Sequence, residues 1–264
     1  MSGITYKLSK RGLFSELHSL IAFYENELYK DFLIYVDGSR SQYFKHQSVN
    51  NIFKFNSRFV KGPFLITNNE TINSNGWRKG KKWKPQTSKR ELSELFSYSN
   101  EVNQAIDFNI KQLKLPEVFF CFHIRRGDKV GEARYYWTEK AGRTESKRYE
   151  FEDYLKKINF NSNEQTTIFV MTDDYKAINE GSAFLKENDL KYKLVYLTNE
   201  TQLGHSTDEQ IENKYSYNEN ELIQLLTEVE VAKKAKCFVG TRSSNVFRFI
   251  EETCTSHTEF MSLD

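Results

Sequence analysis

From Val118 to Glu252 short apolar runs alternate with segments whose apolar residues recur every three or four positions, and this alternation most constrains the fold. The runs Val118 to Ile124, Thr167 to Met171, Lys193 to Leu197 and Cys237 to Gly240 read as strands. Between and after them, Phe151 to Ile158, Tyr175 to Asn188, Glu219 to Lys234 and Asn245 to Glu252 read as helices. Near-continuous apolar strands joined by helices are buried on both faces, which is the pattern of a doubly wound parallel sheet. A helix predicted over Asn100 to Leu113, with Ser99 as its cap and Pro116 beyond its end, leads into this region.

The chain opens the same way. Ile4 to Leu8 reads as a strand, Phe14 to Tyr29 as a helix with Leu17, Leu20, Ile21, Tyr24 and Leu28 on one face, and Phe32 to Val36 as a second strand. That β-α-β start builds a parallel sheet. From Asp37 to Arg90 the pattern weakens to loops and partial strands around Ile52 to Phe55 and Phe64 to Ile66. The expectation is an α/β chain of two Rossmann-type lobes, 1 to 98 and 99 to 264, with a cleft between them.

Composition narrows the partners. Lys+Arg of 38 against Asp+Glu of 36 gives a net charge of +2, too balanced for general attraction to nucleic acid or an anionic membrane. No run approaches the roughly 18 apolar residues of a membrane span. Glu16 and His18 interrupt the N-terminal apolar stretch, which reads as an amphipathic helix rather than a signal peptide. The three cysteines, Cys121, Cys237 and Cys254, fit neither a zinc cluster nor a disulfide framework, so a reducing, cytoplasmic setting is expected.

The densest chemistry is His123-Ile124-Arg125-Arg126-Gly127-Asp128-Lys129, placed where a strand ends. Two guanidiniums and an ammonium at such an edge suit a diphosphate, because arginine forks match phosphate oxygens bidentately and stay charged at any working pH. A surface salt-bridge cluster is the alternative. Asp128, between the cations, would orient them. Asp173-Asp174 also follows a strand, and Ser243-Ser244-Asn245 opens a helix; each serves as a ligand group or as a helix cap. His123 is either a ligand or a core histidine. Arg126-Gly127-Asp128 spells an adhesion triplet, but it leaves a buried strand rather than a loop tip. The basic run Arg78 to Lys84, with Trp77 and Trp83, reads as a solvated loop, a nucleic-acid patch or an acceptor surface.

The first motif resembles the His-x-Arg-Arg-x-Asp peptide shared by α1,2-, α1,6- and protein-O-fucosyltransferases, and the added Lys129-Val130-Gly131 is most similar to the α1,6 branch. Thr172-Asp173-Asp174 and the block Thr241 to Arg248 resemble two further family motifs in the same order, with Asn245 in place of a glutamine. The resemblance covers about residues 99 to 253. It implies a GT-B-like architecture and an inverting, metal-independent transfer of L-fucose from GDP-fucose to a sugar hydroxyl of a glycan. Carried over position by position, Arg125, with Arg126 beside it, would hold the β-phosphate and His123 would help seat the nucleotide. Asp173 and Asp174 would line the donor pocket, and Ser243, Ser244 and Asn245 would donate to phosphate. Tyr154 matches the family's tyrosine in the following helix, Gly12 its N-terminal glycine, and Glu228 falls near its guanine-side aspartate. The chain has no Asp-x-Asp triplet for a metal, and no cofactor is expected beyond the donor substrate. The carboxylate after the motif is Glu132, one position earlier than the family pattern; it is the candidate general base, with Lys129 beside it and Glu139 and Glu145 in reserve. A non-catalytic sugar-binding module of this fold and a transferase using another nucleotide sugar remain open alternatives.

Overall fold

The computed structural model describes residues 2–44, 48–62, 67–74, 83–126, 147–158, 166–202, 204 and 219–264. The chain divides into two compact units, one made of Met1–Ala105, Thr207–Ile223 and Glu252–Thr255, the other of Ile106–Ser206, Gln224–Glu251 and Ser256–Asp264.

In the first unit, β1 (Ser2–Lys7), α1 (Leu13–Tyr24) and β2 (Leu33–Asp37) form the expected β-α-β start. Strand β3 (Thr67–Asn73) completes a parallel three-stranded sheet in the order β2-β1-β3. The first helix is shorter than its apolar pattern predicts, because the Asn26 side chain takes the Leu28 N–H at 2.9 Å and starts a separate 3₁₀ turn, Glu27–Tyr29. Leu28, expected on the buried face, is therefore 76% exposed. Inside α1 the fully buried Glu16 accepts from the Ser9 N–H and hydroxyl, both at 2.8 Å, and from Arg11 at 2.5 Å, which satisfies a charge the core could not otherwise hold. The weakly patterned stretch also contains the short helices α2 (Val49–Ile52) and α3 (Lys89–Leu95), the latter capped by Ser88 on the Glu91 N–H at 3.2 Å.

The second unit carries the doubly wound sheet. After α4 (Asn100–Leu113) come β4 (Phe120–Ile124), α5 (Phe151–Lys157), β5 (Thr166–Thr172), α6 (Tyr175–Glu187), β6 (Tyr192–Tyr196), α7 (Glu219–Ala232), β7 (Cys237–Gly240), α8 (Asn245–Thr253) and β8 (Glu259–Ser262). All five strands are parallel, in the order β6-β5-β4-β7-β8. Phe120, Phe122 and Ile124 pack with Phe151, Tyr154, Val170 and Ile178 on one face of β4. The alternate residues of β4 face the other way, where the His123 ring lies parallel to Phe238 and Phe238 stacks on Phe247 of α8. Among the described residues no helix is long and apolar enough to cross a membrane.

Candidate functional site

Because β5 and β6 lie on one side of β4 while β7 and β8 lie on the other, the order of the sheet reverses between β4 and β7, and the carboxyl ends of these two strands mark the switch point at which open sheets of this kind bind ligands. Arg125 and Arg126 leave β4 there, Asp173 and Asp174 leave β5, and the turn Thr241 to Ser244 leaves β7. Three motifs widely separated in sequence therefore share one sheet edge.

Asp173 joins two of them. Its Oδ1 accepts the Arg126 main-chain N–H at 2.8 Å, and its Oδ2 pairs with the Arg125 guanidinium. Asp174 acts differently: its Oδ1 caps α6 through the Lys176 N–H at 3.0 Å, and its own N–H donates to the Thr172 hydroxyl at 3.2 Å. Arg126 turns away from Arg125. Its Nη1 donates to the Tyr149 carbonyl at 2.8 Å and its Nη2 to Glu180 Oε2 at 2.8 Å, with the residue only 5% exposed.

His123 is buried, and its Nδ1 has no hydrogen-bond partner among the described residues. Burial first, and then the positive charge of Arg125, push its pKa down to about 3, so the ring is neutral at physiological pH. A Cβ added at Gly240 would lie 3.4 Å from that Nδ1 and 2.8 Å from the Phe247 ring, so the histidine fills a slot that glycine leaves open. Tyr154 is buried against Phe122, ring centroids 5.6 Å apart, and burial pushes its hydroxyl pKa well above the usual range.

At the end of β7, Ser244 Oγ accepts the Val246 N–H at 3.2 Å, and Asn245 Oδ1 takes a bond from Arg248. The preceding N–H groups are occupied by Asp264: Arg242 donates to its Oδ1 at 2.6 Å and Ser243 to its Oδ2 at 3.1 Å. Burial would raise the Asp264 pKa, but hydrogen bonds from Ser243, Ser262 and these main-chain groups outweigh it and hold the carboxyl below its usual range.

Two expected residues lie on other elements. Glu228, on α7, is buried with Oε1 unpartnered among the described residues, and burial pushes its pKa up to about 8. It is near enough to Cys121 to help raise that thiol as well. Gly12 belongs to the first unit, where its φ of −59° suits any residue and an added Cβ would meet nothing within 4 Å. Asp128, Lys129, Glu132, Glu139 and Glu145 lie outside the described residues, as does the run from Arg78 to Lys82. Glu180 and Asp264, which organise this edge, and Arg148, which meets Glu180 from the solvent side, carry no motif in the sequence; they become visible only through their partners. Among the described residues no group of three or more His, Cys, Asp or Glu side chains is placed to hold a metal.

The sequence matches no protein-family model and no curated protein. Solved structures do match. NodZ α1,6-fucosyltransferase soaked with GDP-fucose superposes with a TM-score of 0.55 at 10% identity, over 96% of this chain and 93% of that one. Fucosyltransferase NodZ from Bradyrhizobium gives 0.52 at 10% identity, over 95% and 93%. A FUT1 mutant of Arabidopsis thaliana in complex with GDP gives 0.56 at 8% identity, over 98% and 70%. The fold is that of these fucosyltransferase structures. The mixed α/β, GT-B-like class with parallel sheets expected from the sequence is thus the class found.

Proposed function

We propose that the protein is an inverting, metal-independent fucosyltransferase that moves L-fucose from GDP-fucose to a hydroxyl of a glycan acceptor. In this reading residues 1 to 98 form the acceptor-side lobe and 99 to 264 the donor-binding lobe. The observation that carries it is the position of Arg125: it stands at the switch point of the five-stranded sheet, held by Asp173 from the neighbouring strand. A guanidinium at that edge meets a diphosphate where such sheets bind ligands, and its planar fork strengthens its grip as negative charge builds on the departing GDP. Arginine supplies that neutralisation without a metal.

The other residues take roles around it. Neutral His123 offers its unpartnered Nδ1 to the nucleotide without adding charge. Ser244, Asn245 and the first turn of α8 present hydroxyl, amide and N–H donors to phosphate, with the turn braced by Asp264. Asp174 and Tyr154 hold the pocket wall rather than touch the reacting atoms. Glu228 accepts from the guanine ring N–H and amine, which requires it to ionise on binding. Asp128 orients the cations, Glu132 removes the proton from the acceptor hydroxyl as it attacks the anomeric carbon, and Lys129 offsets the charge.

A thermal-shift screen of nucleotide sugars, followed by a transfer assay with labelled GDP-fucose in chelator, tests the proposal. GDP and GDP-fucose are expected to raise the melting temperature, and transfer to proceed without metal. Stabilisation by a different nucleotide sugar alone would overturn the donor assignment; transfer that needs added manganese would overturn the metal-independent mechanism.

A further inference from the structure

The two arginines of the strand-end motif are adjacent, yet they are held in opposite directions. On an extended chain consecutive side chains point to opposite faces. Arg125 goes to Asp173, while the Arg126 side chain, 6% exposed, reaches the Tyr149 carbonyl just before α5 and Glu180 on α6. The Glu180 carboxylate is shared: Oε2 accepts from Arg126 Nη2 at 2.8 Å and Oε1 from Arg148 Nη2 at 2.6 Å, and Arg148 in turn donates through Nε to Glu150 at 3.2 Å. Two cations and two carboxylates thus balance in a chain of ion pairs from the end of β4 to the start of α5.

We propose that Glu180 is a positioning residue that sets the aim of Arg125 without touching it, and that Arg126 is the handle through which it acts. The inference rests on the donor reading of Arg125 given above. A buried guanidinium left without its counter-charge must move toward water or rearrange its neighbours. Arg126 shares a peptide with Arg125 and gives its own N–H to the same Asp173 that pairs with Arg125, so any movement of one is passed to the other. The outer pair has a different weight. Glu180 and Arg148 side chains are 34% and 51% exposed, and solvent screens their attraction. The inner pair with Arg126 is the one that constrains the site.

The test is a double-mutant cycle read in GDP affinity by calorimetry, with the melting temperature of every variant recorded. Glu180→Gln keeps the shape and removes the charge; it is expected to weaken GDP binding about tenfold, within the usual range of coupling between linked residues. In the Arg125→Ala background the same change should weaken GDP no further, and Arg148→Ala alone should stay within about twofold. Equal losses in both backgrounds, or no loss in either, would overturn the proposal, because a general effect on stability acts whether or not Arg125 is present. Amide exchange at Arg126 gives a readout independent of nucleotide. Its N–H is bonded to Asp173, and exchange should quicken in Glu180→Gln. If the unmodified protein binds no GDP, the donor reading fails, and exchange still decides whether Glu180 grips Arg126; an unchanged rate there overturns the grip. Should Glu180→Gln not fold, Glu180→Asp, one methylene shorter, takes its place in the same cycle.

Discussion

Changing Glu228 to Gln is expected to abolish a loss of stability that the protein otherwise suffers as pH rises above neutrality. Burial raises the Glu228 pKa from 4.5 to about 8, so between those values the folded chain holds a proton that the unfolded chain has released. Stability therefore falls as pH rises across that window, by about 1.4 kcal/mol per pH unit. His123 works in the opposite sense. Its folded pKa of about 3 lies below the ordinary 6.5, so from 3 to 6.5 the unfolded chain binds the extra proton and stability climbs with pH at the same slope. From 4.5 to 6.5 the two slopes cancel. Above 6.5 only Glu228 is left, and about 1.5 further pH units to 8 correspond to about 2 kcal/mol lost. Urea denaturation of the parent chain and of Glu228→Gln at pH 5, 6.5 and 8 measures this. The parent should be level from 5 to 6.5 and fall by about 2 kcal/mol at 8; the variant should rise from 5 to 6.5, by about 2 kcal/mol, and then stay level. Equal slopes above 6.5 in both proteins would refute the argument, since the buried carboxyl would then not be the titrating group.

The remaining expectations concern the site. Arg125→Ala should lower turnover about a hundred- to a thousandfold, and Arg125→Lys should recover little of it, because a point charge does not reproduce the fork; a fully active lysine variant would show that charge alone suffices. Glu132→Gln should retain GDP-fucose binding and lose turnover about a hundred- to ten-thousandfold, the usual worth of a general base, and normal turnover would place the base elsewhere. GDP binding at pH 7 should release a proton, seen as a buffer-dependent calorimetric heat that disappears in Glu228→Gln; a heat independent of buffer would remove Glu228 from guanine recognition. Gly240→Ala should cost about 1–3 kcal/mol, because the new Cβ would lie 2.8 Å from Phe247 and 3.2 Å from His123 Cβ; an unchanged melting temperature would mean the slot is looser than the packing indicates.

The strands and helices from Asn100 to Gly240 were legible because buried parallel strands need continuous apolar runs and their crossover helices need an apolar stripe, both of them local patterns. Strand β3 was not. Its residues, Thr-Asn-Asn-Glu-Thr-Ile-Asn, are mostly polar, and it enters the sheet as an edge through main-chain pairing with β1. Strand β8 is four residues at one edge of the five-stranded sheet, too short for a period to register. The end of α1 was misplaced because one asparagine side chain competes for a main-chain N–H more effectively than an apolar stripe can extend a helix.

By itself the sequence determined the α/β class, the order of the elements from Asn100 to Gly240 and the clustering of charged and polar groups at three strand ends. Each of these follows from residues within a few positions of one another. The tertiary structure decided what those charges do. It sends Arg126 to a glutamate 54 residues away, makes Asp174 a helix cap while its neighbour Asp173 braces two arginines, and braces the β7 turn with Asp264. It also buries Glu228 and His123 deeply enough to leave both uncharged near neutral pH. A side chain's partner and its protonation depend on which distant atoms displace water from it, and no local pattern carries that information.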